Sequence, residues 1–112
     1  MNIVAVIPAR SGSKSIKDKN IISYKGKPLI YYSIKTALKS KYINRVIVST
    51  DSNKYKRISM KLGAEVPFLR PKKYCSDNSV DYDYILHASK FLIKNKYYPD
   101  LIILLRPSTP NR

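Results

Sequence analysis

A basic segment directly after the first apolar run contains the side chains best suited to chemistry. Residues Ile3 to Ile7 predict a buried strand that runs into Pro8. The next dozen residues combine serines and a glycine with four cations, Arg10, Lys14, Lys17 and Lys19. Small residues let a backbone approach a ligand closely, and cations supply the charge that phosphate needs. Because open α/β folds bind nucleotides at the carboxyl ends of parallel strands, we expect a phosphate site here.

The segment does not match the two common phosphate-binding loops. A P-loop requires G-x-x-x-x-G-K-[ST], and only Gly12 precedes Lys14; the dinucleotide fingerprint G-x-G-x-x-G is missing as well. What remains is a loop of cations and backbone N–H groups. Arg10 can bind phosphate bidentately, Lys19 acts as a mobile point charge, and the Asn20 amide can contact a base or ribose. By composition alone, an ordinary surface turn stays an open alternative.

The elements that must position this segment alternate along the chain. Four apolar runs predict strands, at Ile3 to Ile7, Arg45 to Ser49, Val66 to Leu69 and Leu101 to Leu105. Helical spacing of apolar residues predicts three helices between them. The first begins with Pro28 at its first helical position, the second is capped by Asp51 or Ser52, and the third by Asn78 or Ser79. The pattern indicates an α/β fold, with a mainly parallel sheet between two helical layers.

Length and composition limit the class of protein. The 112 residues allow one domain, and a hydrophobic share of 44% favours a folded globular chain over disorder. One cysteine, Cys75, excludes an internal disulfide and gives no metal-ligand spacing. No apolar run approaches the roughly 20 residues that a bilayer crossing needs, and no signal-peptide pattern is present. We therefore expect a cytoplasmic protein that does not bind membranes.

The formal net charge of +15 has two interpretations. It could mark a small nucleic-acid-binding module, because clustered cations attract phosphate backbones. It could also reflect lysines scattered over solvated helix surfaces. No block of five or six like charges occurs, which favours the scattered arrangement and makes a nucleic-acid partner less expected.

The basic segment resembles the signature of the acylneuraminate cytidylyltransferases, also called CMP-sialic acid synthetases. Further blocks follow in the family's order and spacing: GKPLIYYSI (26–34), RVIVSTDS (45–52), GAEVPFLRP (63–71), SDNSVDYDYILHA (76–88) and LLRPSTPNR (104–112). The resemblance implies a Rossmann-like nucleotidyltransferase fold. It covers only the N-terminal half of such an enzyme, so we expect residues 1–112 to be the nucleotide-binding part of a truncated domain.

The resemblance also implies an activity and its residues. The family transfers CMP from CTP to a sialic-acid-like sugar and releases pyrophosphate, so CTP and a nonulosonic acid are the implied ligands. Arg10 and Lys19 are the implied catalytic residues, because positioned cations stabilise charge on transferring phosphate groups. The implied nucleotide contacts are Ala9, Arg10, Ser11, Gly12, Ser13, Lys14, Lys19, Asn20, Arg70 (cytosine) and Ser79 (backbone to the base). The complete enzyme is expected to be a homodimer that uses Mg²⁺, with metal ligands beyond Arg112.

Some residues need a separate interpretation. Arg106 stands where many members of the family have glutamine, and a cation there favours an acidic ligand. Asp51 is interpreted as a helix cap and His87 as a packing residue, since no nucleophile or metal pattern accompanies the histidine. We expect the 112-residue chain alone to be an incomplete portion of the enzyme that is inactive or weakly active. Another open alternative is a non-catalytic relative that pairs with a second chain.

Overall fold

The fold is an open parallel sheet with helices on both faces. The computed structural model describes residues 1–9, 23–69 and 81–107. The elements in chain order are β1 (Ile3–Pro8), β2 (Ser23–Tyr24), β3 (Lys27–Pro28), α1 (Leu29–Lys39), β4 (Arg45–Ser49), α2 (Asn53–Lys61), α3 (Asp81–Lys94) and β5 (Leu101–Leu104).

The main sheet has the strand order β4-β1-β5, and both of its pairings are parallel. In the register, Pro8 lies opposite Ser49, and Val6 lies opposite Leu104. The central position of β1 explains its sequence, because a strand covered on both faces needs a continuous apolar run. A single parallel bridge, Ile47 to Glu65, extends the sheet beyond β4.

Two apolar clusters, one on each face of the sheet, form the core. Alternate residues of β1 separate them: Ala5 and Ile7 belong to one cluster, and Val4 and Val6 to the other. Helix α1 buries Ile30, Ile34 and Ala37, and α2 buries Tyr55, all against the first cluster. Helix α3 packs Ala88 and Leu92 against the second. The predicted three-layer α-β-α arrangement is therefore confirmed.

Helix ends follow the expected chemistry, with one correction. The Ser52 side chain accepts a hydrogen bond from the Tyr55 backbone N–H at 3.2 Å, so Ser52 rather than Asp51 caps α2. The prediction that Pro28 is the first helical residue is wrong. Pro28 has an extended backbone (φ −63°, ψ 147°) and serves as the N-cap of α1, because it also ends strand β3. The predicted Asn78 or Ser79 cap lies outside the described residues.

Two other local predictions differ from the structure. Residues 66–69 do not form the predicted third strand. Glu65 alone donates to the Val46 carbonyl (2.8 Å) and accepts from the Val48 N–H (2.9 Å), and Pro67 then has no N–H with which to continue the ladder. The hairpin β2–β3 was not predicted. Its turn uses Lys25 at φ 51° and Gly26 at φ 84°, left-handed conformations that glycine adopts readily.

The amino edge of the sheet, where its strands begin, is fixed by side chains. Arg45 and Glu65 form a bidentate ion pair, with N–O distances of 2.6 and 2.9 Å, and the Arg45 guanidinium lies 4.6 Å from the Tyr97 ring centroid. The Asn2 N–H donates to the Asp100 carboxylate at 2.6 Å, and the Asp100 N–H donates back to the Asn2 carbonyl at 2.7 Å. These contacts tie the starts of β4, β1 and β5 to the end of α3.

Candidate functional site

The opposite, carboxyl edge of the sheet is the candidate site. There the Ala9 N–H donates to the Ser49 carbonyl at 2.9 Å, and the Leu105 N–H donates to the Val6 carbonyl at 2.9 Å. Ala9 has no exposed surface. The backbone just beyond β1 is therefore held to β4, and the backbone just beyond β5 is held to β1. Each chain segment that leaves this edge starts from a fixed position.

Strand order shows where along this edge a ligand fits. From β1 the chain passes through α1 to β4 on one side, whereas β5 lies on the other side of β1. The strand order thus reverses between β1 and β5. Open α/β sheets bind ligands in the crevice outside the carboxyl ends of strands at such a reversal. The basic segment 10–22 departs from Ala9 next to it.

The end of β4 forms a compact polar turn at this edge. Thr50 is fully buried, and its hydroxyl accepts from the Ser52 N–H at 3.2 Å, while Ser52 in turn caps α2. Asp51 lies between them and is partly buried. This arrangement fixes the backbone of residues 49–52 without help from the Asp51 carboxylate as a cap. Asp51 is the carboxylate that the turn places at the candidate site.

The end of β5 is anchored to helix α1. The Ser33 hydroxyl donates to the Arg106 backbone carbonyl at 3.0 Å, and Ser33 itself is 8% exposed. The Arg106 side chain is exposed. Since the adjoining residue Leu105 is bonded to β1, the backbone that carries Arg106 is fixed from two directions. A cation on a rigid backbone at this edge suits an anionic ligand.

Most of the predicted site residues lie outside the described part of the chain. Of the predicted nucleotide contacts only Ala9 is described; it lies at the carboxyl edge, and its contact with a nucleotide stays a prediction. The others remain predictions: Arg10, Ser11, Gly12, Ser13, Lys14, Lys19, Asn20, Arg70 and Ser79. The same holds for the catalytic roles given to Arg10 and Lys19.

The flanking elements nevertheless constrain where these segments attach. Tyr97, just after α3, contacts Arg45 at the start of β4, so α3 ends near the amino edge. Its 14 residues span about 21 Å at 1.5 Å per residue, which brings its first residue, Asp81, toward the carboxyl edge. The segment containing Arg70 and Ser79 therefore joins α3 at the same edge from which the basic segment departs.

His87 fits the packing role that the sequence predicts. Its ring makes an edge-to-face contact with Phe68, with centroids 4.6 Å apart, and Phe68 also contacts Phe91 at 5.1 Å. These rings extend the apolar cluster on the α3 face. His87 is thus part of the layer that supports the sheet.

The described carboxylates do not assemble a metal site. In residues 1–9, 23–69 and 81–107, no group of three or more His, Cys, Asp and Glu side chains could hold an ion. Glu65 pairs with Arg45 and Asp100 binds the Asn2 N–H, both at the amino edge. Mg²⁺ prefers six oxygen ligands, so these residues do not fit it, and the expected Mg²⁺ ligands remain a prediction for residues elsewhere.

Sequence reasoning missed two residues of this edge, Ser33 and Ser49. Ser33 falls three residues after Ile30, on the buried face of α1. This spacing could have identified it as a polar residue directed toward the sheet. Ser49 ends a buried strand with a hydroxyl, where a polar residue at a strand terminus is a signal for function. In both cases the residue was interpreted only as part of a buried helix or strand, because its neighbours in the sequence are apolar.

No described helix has the length and apolar character needed to cross a membrane.

Basic residues end the three described helices, with Lys39, Lys61 and Lys94 in their last turns. Cations there complement the helix dipole. Part of the high positive charge therefore has a structural role, which supports the scattered arrangement over a nucleic-acid surface.

Comparison with known proteins identifies the chain's relatives. The sequence model of the cytidylyltransferase family matches residues 4–95. The chain is 38% identical over 110 residues to an N-acylneuraminate cytidylyltransferase of Escherichia coli, covering 98% of this chain and 25% of that protein. It is 40% identical over 113 residues to a CMP-N,N'-diacetyllegionaminic acid synthase of Legionella pneumophila, covering 100% of this chain and 48% of that protein.

A further relative is similar to this chain in sequence, and two solved structures are similar to it in fold. A pseudaminic acid cytidylyltransferase of Campylobacter jejuni is 36% identical, over 98% of this chain and 47% of its own length. A CMP:2-keto-3-deoxy-manno-octonic acid synthetase complexed with CTP superposes with a TM-score of 0.78 at 24% identity, over 98% of this chain and 42% of that chain. A cytidylyltransferase from Leptospira borgpetersenii gives 0.68 at 22%, over 96% and 42%. The chain thus spans about half the length of these proteins, or less.

Proposed function

Because this chain belongs to the cytidylyltransferase family, we propose that it is the CTP-binding part of an enzyme that activates a nonulosonic acid. In the proposed reaction, the anomeric hydroxyl oxygen of the acid attacks the α-phosphorus of CTP. A new oxygen–phosphorus bond forms, the bond between the α-phosphorus and the β-phosphate oxygen breaks, pyrophosphate leaves, and the hydroxyl proton passes to solvent. The products are a CMP-sugar and pyrophosphate. The acceptor class follows the names of the relatives, which cover acylneuraminic, legionaminic and pseudaminic acids.

One structural observation supports the proposal most directly. The basic segment departs from the carboxyl end of the central strand, beside the reversal of strand order, from a residue held to β4 by the Ala9 to Ser49 hydrogen bond. A segment rooted there can lay backbone N–H groups and cations along a triphosphate. In the proposal Arg10 and Lys14 bind phosphate oxygens, and Lys19 stabilises charge on the leaving pyrophosphate.

The other side of the crevice is proposed for the acceptor acid. Arg106 follows β5 on a backbone fixed by Ser33 and by β1. Nonulosonic acids carry a carboxylate, which a guanidinium binds well. Mg²⁺ is expected in the complete enzyme, where it would offset negative charge on the phosphates, but the described residues do not form its site. We also propose that the complete enzyme is cytoplasmic and forms a homodimer.

A binding and turnover experiment tests the proposal. We expect the 112-residue chain to bind CTP weakly by isothermal titration calorimetry and to release negligible pyrophosphate with CTP and a panel of nonulosonic acids. Lys19→Ala should weaken nucleotide binding, while the matched control Lys94→Ala, in the last turn of α3 near the amino edge, should not. Equal binding of CTP by wild type and Lys19→Ala would contradict the assignment of the basic segment.

The alternative of a nucleic-acid-binding module has a separate test. If it were correct, binding to unrelated DNA and RNA sequences would fall steeply with salt, in proportion to the number of phosphates contacted. The lysines at the three helix ends argue against this result.

A further inference from the structure

A buried hydroxyl at the carboxyl edge, that of Ser49, makes no hydrogen bond within the described residues. Ser49, the last residue of β4, has no exposed surface. Its backbone carbonyl accepts the Ala9 N–H, but its Oγ atom has no hydrogen-bond partner among the described residues. A buried polar group without a partner costs free energy, and native structures retain such groups at positions that need explanation.

The position of Ser49 in the sheet shows which side of the edge its hydroxyl faces. Residues along β4 alternate between the two faces: Val48 belongs to the cluster beneath α1 and α2, whereas Ile47 belongs to the cluster beneath α3. Ser49 therefore faces the α3 side. In the register it lies opposite Pro8, one residue before the chain leaves β1.

We propose that Ser49 Oγ hydrogen-bonds the nucleoside part of the bound nucleotide. This inference rests on the proposed function. The cations of the basic segment suit the triphosphate, so a neutral hydroxyl at the neighbouring strand end is left for ribose or base. A serine hydroxyl is both donor and acceptor, which suits a sugar hydroxyl or a base carbonyl. Because the Ser49 side chain is buried, the atoms that cover its Oγ must move aside on binding while the strand backbone stays in place, and the bond then forms away from competing water.

The chain contains a matched control for this hydroxyl. Ser59, on α2, is also fully buried, and its Oγ likewise has no hydrogen-bond partner among the described residues. It lies toward the end of α2, where its carbonyl accepts the Ala64 N–H just before the Glu65 bridge. Ser59 is thus displaced from the carboxyl edge by about two turns of helix. Removing either hydroxyl relieves the same kind of unpaired group, but only Ser49 lies at the proposed site.

The test compares CTP binding and thermal stability for wild type, Ser49→Ala and Ser59→Ala in the 112-residue chain. Both variants should melt at the wild-type temperature or above it, because neither loses a hydrogen bond. Ser49→Ala should bind CTP about 3- to 10-fold more weakly, the effect of losing one neutral hydrogen bond, and Ser59→Ala should bind as wild type does. Ser49→Cys, which is somewhat larger but keeps a weak donor, should fall between wild type and Ser49→Ala.

The outcomes separate the inference from the proposed function. If wild type fails to bind CTP, the proposed function is refuted for this chain, and the inference with it. If wild type binds and Ser49→Ala binds equally well, only the inference is refuted. Equal weakening by Ser59→Ala would also overturn it, because the loss would then reflect a general loosening of the core. A stabilised Ser49→Ala with weakened CTP binding supports it.

Discussion

Neutralising Glu65 tests how far the amino edge depends on the Arg45–Glu65 ion pair. In Glu65→Gln the side chain keeps its shape and one acceptor oxygen, but the charge that faces the guanidinium is lost. The two hydrogen bonds of the pair measure 2.6 and 2.9 Å, and the planar fork of Arg45 matches the carboxylate at both oxygens. The Tyr97 contact at 4.6 Å does not involve Glu65 and should persist.

The size of the effect follows from exposure and geometry. The side chains are 26% and 43% exposed, so water and salt screen the pair substantially. Exposed pairs contribute about 0.2–1 kcal/mol, and bidentate geometry places this one near the upper end. We expect Glu65→Gln to lower the free energy of unfolding by about 1 kcal/mol, which corresponds to a Tm about 4–8 °C lower for a small domain.

The pH dependence of this contribution has a definite sign. The hydrogen bonding that Arg45 donates to the Glu65 carboxylate is the largest cause that raises the pKa of Arg45, ahead of the opposing effect of burial. When folding raises the pKa of a cation, the folded state gains stability. This stability is fully present at pH values below the pKa of the unfolded state, and it is lost as the pH rises through the pKa of the folded state. For arginine both values lie above the ordinary assay range, so the Arg45 contribution should stay constant through neutral and mildly alkaline pH.

A double-mutant cycle with Arg45→Met provides the measurement. Urea unfolding of wild type, both single variants and the double variant gives the coupling free energy between the two side chains. Repeating it at about 1 M salt, where the Debye length is about 3 Å, should reduce the coupling markedly. A coupling near zero at low salt, or one that salt leaves unchanged, would refute the electrostatic reasoning.

Four further variants test three other parts of the fold, each by urea unfolding. Ser52→Ala should cost about 1 kcal/mol through loss of the α2 cap. Gly63→Ala should destabilise the chain more than Gly26→Ala, because φ is +104° at Gly63 and +84° at Gly26, and left-handed L-residues prefer about +57°. Ser33→Ala should cost about 1 kcal/mol, since the Arg106 carbonyl loses its 3.0 Å hydrogen bond.

Each of these has a contrary result. Ser52→Asp should retain most of the stability that Ser52→Ala loses, and equal losses would mean that the cap contributes little. Gly26→Ala as costly as Gly63→Ala would contradict the argument from φ, and would show that the contact of a new Cβ at Gly63 with Leu38 Cδ1, 3.0 Å away, is absorbed without strain. A neutral Ser33→Ala would show that water replaces the hydroxyl at that carbonyl.

Periodicity predicted the layers of this fold well, because β1 and β4 are almost wholly buried and α1 buries one regular face. The continuous apolar runs of β1 and β4 could be read directly, since both faces of each strand are covered. The Ile30–Ile34–Ala37 spacing likewise gave the buried face of α1. The family resemblance is confirmed by the match over residues 4–95.

Local features decided by single backbone groups were harder to predict. Val66 to Leu69 has strand-like composition, yet its pairing ends with Glu65, and composition does not report which N–H groups find partners. The Lys25–Gly26 turn depends on two left-handed residues in a hairpin only two residues long on each side. The Ser33 and Ser49 hydroxyls needed the strand order and register, which bring together residues far apart in the chain.

The pairing of β1 with β5 has a consequence for synthesis on the ribosome. The Asn2 N–H donates to Asp100, 98 residues later, so β1 is synthesised long before β5, one of its two neighbours in the sheet. At about 5–20 residues per second, β1 waits roughly 5–20 s for β5. During that time its apolar run has at most β4 beside it. Until β5 has been made, the nascent chain should therefore depend on chaperone protection of the apolar run in β1.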